Sequence, residues 1–117
     1  MRASGSILCS LVAAAYLAAH LPFLAPSLED IDSINFALGL REFDVARHQP
    51  HPPGYPVYVA LGRVSRGAMA WVAPDLPRVR AEAWALAVWS AIAGAIAILA
   101  AGALFRGVET NGSRVRV

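Results

Sequence analysis

The sequence predicts an all-α membrane protein with about three transmembrane helices and a short interfacial helix in the first outer loop. Three observations carry this prediction. The chain is 57% hydrophobic and only 15% charged, whereas a soluble domain averages about 45–50% apolar and about 25% charged. The apolar excess gathers in three blocks, 7–25, 55–73 and 83–105, and a membrane-crossing helix needs about 20 mostly apolar residues. Between the first two blocks lies 26–54, a polar segment that begins acidic and ends rich in proline.

The first block carries no charge and follows Arg2. Pro22-Phe23-Leu24 interrupts any small-x-small cleavage pattern, so the block reads as a retained helix rather than a signal peptide. Cys9, the single cysteine, has no disulfide partner and reads as a packing residue. In the outer loop, Ser27 followed by Asp30 resembles a capping box. Ile31, Ile34 and Leu38 then recur at helical spacing, with Phe36, Leu40 and Phe43 as a second apolar stripe. A helix over about 28–43, apolar on two faces, would lie on the membrane surface or be sandwiched under other segments. Pro50, Pro52, Pro53 and Pro56 forbid helix after Asp44, and Pro56 suits the first turn of the next helix.

The second block contains Arg63 and Arg66 on one helix face. Intramembrane arginines mark functional or paired sites, or snorkel toward the interface. Trp71 and Trp84 suit interface anchors, and Trp89 suits packing. Ala91, Gly94, Ala95 and Gly102 give the third block a small face suited to close helix contact.

Arginine distribution orients the chain. The loop 26–54 holds five acids against Arg41 and Arg47, a net of −3, whereas the connection 73–82 holds Arg78 and Arg80. This puts the N-terminus in the cytoplasm and the loop 26–54 on the outer side of the membrane. A three-crossing chain with the connection 73–82 in the cytoplasm then leaves the tail arginines Arg106, Arg114 and Arg116 outside, against the rule. A re-entrant second block would return the tail but leave Arg63, Arg66, Arg78 and Arg80 outside, which is worse, so three crossings are expected. Abundant Ala, Arg and Gly with no lysine fits a GC-rich bacterial genome, and hence a bacterial inner (cell) membrane. No basic stripe interleaved with aromatics is present, which argues against nucleic acid as a partner.

Chemistry concentrates between Ser27 and Pro56. Asp30 and Asp32 are two residues apart, so on a helix they point about 200° from each other. They share a site only if the helix begins between them. Near a helix start, above the bilayer, Asp30 suits a general base toward an acceptor or an oxygen ligand to a divalent cation. These acids equally suit simple capping. His48 and His51 lie in a proline-rich turn without a third metal ligand, so a structural zinc site is disfavoured. Beside Arg47, such imidazoles suit a lipid-linked phosphate, or a rigid turn that caps backbone groups.

One family shares this order of features. A first apolar helix, the acids Glu29-Asp30-Ile31-Asp32, and His51-Pro52-Pro53-Gly54-Tyr55-Pro56 leading into a second helix resemble the start of GT-C glycosyltransferases. The nearest group is the protein O-mannosyltransferase-like and Rgt-like bacterial membrane proteins, which the step Leu76-Pro77-Arg78-Val79-Arg80 also resembles. The resemblance implies transfer of a sugar from a polyprenyl-phosphate donor, with membrane lipid around the enzyme. It implies Asp30 as the catalytic acid with Asp32 second, and Glu29, Arg47, His48, His51 and Tyr55 as substrate-binding candidates. It also implies that this chain is a fragment of a larger multi-helix GT-C fold and, alone, inactive. The alternative is a small non-enzymatic membrane protein that associates with larger helical partners.

Overall fold

The computed structural model describes residues 2–114, with side chains over 5–109. Every regular element among them is helical: α1 (Arg2–His20), α2 (Ile31–Arg41), α3 (Pro56–Val72) and α4 (Arg78–Arg114), with 3-10 turns at Leu21–Phe23 and Val45–Arg47. The all-α expectation holds. Two stretches, Gly5–Phe23 and Arg78–Glu109, are long and apolar enough to cross a membrane. The expected span over 55–73 is α3, which has 17 residues and contains Arg63 and Arg66, and it is not among these two. The expected third span, 83–105, is only the middle of α4. At 37 residues α4 runs about 55 Å, well beyond a hydrocarbon core of about 30 Å. Its last described turn covers part of the expected polar tail, whose Arg116 lies outside the described residues.

The described chain forms two compact units, Met1–Pro22 with Ala91–Val117, and Phe23–Ser90. In the first, α1 packs on the second half of α4. Gly94 stands against the Tyr16 ring and Gly102 against Cys9, and a Cβ at either glycine would collide. Ala13, Ala91 and Ala95 are buried. The small face expected of this helix is therefore taken up within the chain. Cys9 packs as expected, and its sulfur accepts from Arg106 Nη1 at 3.3 Å.

The second unit holds the polar chemistry. Asp30, not Ser27, caps α2: Ser33 N–H donates to Asp30 Oδ1 at 2.8 Å, and Asp30 N–H donates to Ser33 Oγ at 3.3 Å. The capping box thus sits one turn later than the sequence pattern suggested, and α2 is shorter than 28–43. Helix α2 is sandwiched rather than superficial. Ala37 and Leu40 join Val59 and Leu86 in the core, with Leu28, Phe36 and Tyr58 packed around them. Gly62 permits this approach, because a Cβ there would lie 2.7 Å from Leu40 Cδ2.

Polar bonds tie the same three helices together. Arg63 donates to the carbonyls of Leu40 (3.2 Å) and Gly39 (3.0 Å), the orphan acceptors at the end of α2. Of the two readings for Arg63, pairing is the one realised. Ser65 Oγ donates to the Ala85 carbonyl at 2.6 Å and accepts from Trp89 Nε1 at 3.2 Å. Glu82 is 0% exposed and holds Arg41 through two bonds of 3.0 and 2.6 Å, while Arg78 Nε adds a third at 3.1 Å.

Removing the Glu82 charge takes the counter-ion from two guanidinium groups and leaves a buried amide that cannot satisfy the half-buried Arg41 as the carboxylate does. Glu82→Gln is therefore expected to lower stability by about 2–3 kcal/mol. Arg78 is 60% exposed, so Arg78→Ala is expected to cost less than about 1 kcal/mol. Loss of helical circular dichroism in a denaturant titration of the detergent-solubilised chain measures both. Equal effects from the two variants would contradict this account of the pair.

Candidate functional site

A groove of about 370 Å³ opens where α2 begins. Glu29, Asp30 and Asp32 form its acidic rim, and Phe36, Tyr58 and Leu86 form its apolar floor. The rim exists because α2 starts at Ile31. Asp30 is still extended, at φ −113° and ψ 160°, so the 200° divergence of a continuous helix does not apply. Both acids line one groove, the condition the spacing had left open.

Each acid is held differently. Glu29 Oε1 accepts from Ser27 Oγ at 2.8 Å. The Asp30 carboxyl sits below the ordinary carboxylate range, first because the Ser33 N–H donates to it and second because of the Ser33 side chain. A carboxylate so stabilised is ionised at neutral pH and is a weak proton acceptor. That arrangement suits an anchor for hydroxyls or a cation better than a general base. Among the described residues no cluster of three or more His, Cys, Asp or Glu stands ready to hold a metal ion. Asp30 as a cation ligand would therefore draw its other ligands from substrate and water.

Asp32 Oδ1 lies 3.8 Å from His51 Nδ1, a buried nitrogen without a hydrogen-bond partner. The His51 ring packs on Phe36 (centroids 5.7 Å apart) and on Tyr55 (5.6 Å). Phe36 also meets Tyr55 at 5.3 Å and Tyr58 at 4.9 Å, both edge-on. Edge-to-face rings at these separations stabilise beyond simple burial. The aromatic cluster carries the His51–Pro56 turn back to α2. Backbone geometry shapes that turn: Gly54 has φ +90° and lies against Val45 and Phe43, and Tyr55 adopts a left-handed conformation before Pro56 opens α3.

Two of the expected phosphate contacts lie elsewhere. Arg47 bonds to Asp44 Oδ2 at 3.3 Å and Glu42 Oε1 at 3.5 Å. His48 is exposed, in a left-handed backbone conformation at the end of the 3-10 turn. Neither lines the groove, and nor do His51 and Tyr55, which pack behind it on Phe36. The residues that sequence reasoning missed are Phe36 as the aromatic hub, Tyr58, whose hydroxyl donates to the Leu86 carbonyl at 3.2 Å, and Glu82. An Arg78–Glu82 spacing of four was the visible signal for the last.

No family model, no curated protein and no solved structure matches the chain.

The Asp30 cap yields a pH-dependent prediction. Its folded pKa lies below its unfolded value, so its stabilisation is present above the ordinary carboxylate range and lost as pH falls through the lowered value. Amide exchange at Ser33, corrected for intrinsic rate, is expected to be constant from neutral pH to about 5 and to accelerate below about 4. Asn caps nearly as well as Asp and Ala does not. Asp30→Ala should therefore accelerate that exchange at neutral pH while Asp30→Asn leaves it near wild type. Matching behaviour of the two variants would refute the capping role.

Proposed function

We propose that this chain is the N-terminal part of a membrane glycosyltransferase that takes its sugar from a polyprenyl-phosphate donor at the outer membrane face. The observation that carries this reading is the groove at the start of α2. It joins carboxylates, suited to sugar hydroxyls, with the apolar and aromatic floor of Phe36, Tyr58 and Leu86. Carboxylates bind hydroxyls by charge-assisted hydrogen bonds. Aromatic and aliphatic surface takes the sugar face and the first prenyl unit. In this reading Asp30 anchors and orients the sugar, Asp32 stands beside it on the rim, and His51 and Tyr55 act only by packing against Phe36. Arg47 and His48, held away from the groove, take no part in donor binding in this reading.

The topology that best serves this reading has two crossings. Helix α1 and the second half of α4 are the crossings, and the segment between them is on the outer side. Two features support it. The tail arginine Arg106 then returns to the side of Arg2, as the charge rule asks. Of the arginines left outside, Arg63 and Arg78 already have protein partners, so they carry little weight in orienting the chain. Three crossings would instead bring Arg41 and Glu82 toward the bilayer along with α3. The non-enzymatic alternative, association through the small face of α4, is weakened because Gly94 and Gly102 are already covered by α1.

Photo-crosslinking tests the function. A polyprenyl-phosphohexose with a photoreactive first isoprene unit is expected to label the peptide 25–36 of the chain in membranes. Asp30→Asn, which keeps the cap, should reduce labelling about tenfold through loss of a charged acceptor. Labelling spread evenly over the apolar helices, or unchanged in the variant, would overturn the proposal.

A further inference from the structure

The fold treats the two arginines of α3 differently. Arg63 gives Nε and Nη2 to the Leu40 and Gly39 carbonyls. Arg66 is half-buried, yet it has no hydrogen bond and no ion pair among the described residues. A partly desolvated guanidinium without an acceptor leaves strong donors unused. Arg66 lines two hollows, and Ala70 is common to both. One, of about 300 Å³, also has Arg63 and Gly67 in its lining. The other, of about 190 Å³, lies at the turn from α3 to α4 and is bordered by Met69, Leu76 and Arg78. All of these residues belong to the compact unit Phe23–Ser90.

Charge, size and donor geometry identify the ligand class. Arginines line both hollows and no acid does. Glu82 is already committed to Arg41 and Arg78, and Asp75 stands in the turn outside both linings. The smaller hollow falls below the roughly 300 Å³ at which drug-sized ligands begin to fit, so its occupant is a compact anion. Arg78 gives only its Nε to Glu82, which leaves its paired terminal nitrogens for a second acceptor. A carboxylate has two oxygens, and Arg41 alone takes both of those on Glu82. A phosphate has oxygens enough for two guanidinium groups at once, each meeting them in pairs. The first turn of α4, which contains no acid, adds the positive end of a helix to the same field. Space is available as well, because a Cβ at Gly67 would meet nothing within 4 Å.

We infer that Arg66 and Arg78 form a binding site for a phosphate group in the hollow between the end of α3 and the start of α4, with Arg63 at its margin. Met69 and Leu76 give the site an apolar border, so a phosphate carried on a lipid and a free phosphate both meet its chemistry. The site shares no lining residue with the groove at the start of α2. It rests neither on the transfer reading nor on the number of membrane crossings.

Phosphorus NMR tests the site on the full chain in bicelles of phosphatidylcholine. Inorganic phosphate is titrated in one series, and phosphatidic acid replaces part of the lipid in another. A saturable shift of the probe signal is expected. A response in the lipid series alone identifies a lipid headgroup, and one in the phosphate series alone a soluble phosphate; either supports the site. Arg66→Gln is expected to weaken binding about tenfold through loss of a charge-assisted bond. It should leave helical circular dichroism unchanged, since Arg66 makes no bond among the described residues. Ala70→Leu keeps every charge but fills the hollow, and should weaken binding likewise. Arg80→Gln removes an equal charge nearby but outside both hollows, and should change affinity less than about twofold. Equal losses from Arg66→Gln and Arg80→Gln would mean diffuse attraction to surface charge and would overturn the proposal, as would a response in neither series. Donor crosslinking at 25–36, expected unchanged in Arg66→Gln, decides the transfer reading separately.

Discussion

A single buried carboxylate organises the second unit. Glu82 has no solvent exposure and can stay ionised only because Arg41 grips both its oxygens and Arg78 adds a third bond. Arg41 is the last residue of α2 and Glu82 lies in the second turn of α4. The pair therefore joins the ends of elements that are 41 residues apart in the chain. A buried charge left without its partner is strongly destabilising, so the geometry of this pair is enforced rather than optional. Arg63 enforces it again by satisfying the carbonyls at the end of α2. With the end of α2 fixed, its beginning is fixed, and the beginning is where the acidic rim lies.

The rim depends on one local choice, where the helix starts. Had Ser27 capped α2, Asp30 and Asp32 would both stand inside a helix and diverge. Asp30 as cap leaves its own backbone extended, and both acids border one groove. The same bond that starts the helix also holds the Asp30 carboxyl ionised. Structure and chemistry thus share a hydrogen bond, and Asp30→Asn separates them because amide and carboxylate cap alike but differ in charge. The His51–Pro56 turn does not line the groove; it supports it from behind through Phe36, the residue that both rings of the turn touch.

Much of this was legible in the residues and some was not. The helical class followed from composition and apolar blocks. The acids and the proline-rich turn stood out by type and spacing, and they do converge on one region of the fold. The helix count was harder. An apolar block with two arginines satisfies a composition test for crossing, yet tertiary contacts decide whether those arginines face lipid or carbonyl oxygen. Arg63 found carbonyls 23 residues upstream, which no local pattern reveals. Arg47 and His48 were grouped with His51 because they are adjacent in sequence. The 3-10 turn and the left-handed His48 backbone direct them to Glu42, Asp44 and solvent instead. No local pattern announces the burial of Glu82, which comes from the approach of Arg41 on α2 to the start of α4.

The central claim is that the groove at the start of α2 receives a sugar held on a lipid phosphate. Hydrogen–deuterium exchange of the chain in nanodiscs, with and without a polyprenyl-phosphohexose, tests this most directly. The account predicts slowed exchange over 27–36 and over 83–87, the segments that line the groove together with Tyr58, and no change over 44–48. Unchanged exchange in both walls at saturating donor, or protection confined to the Arg47 turn, would contradict it.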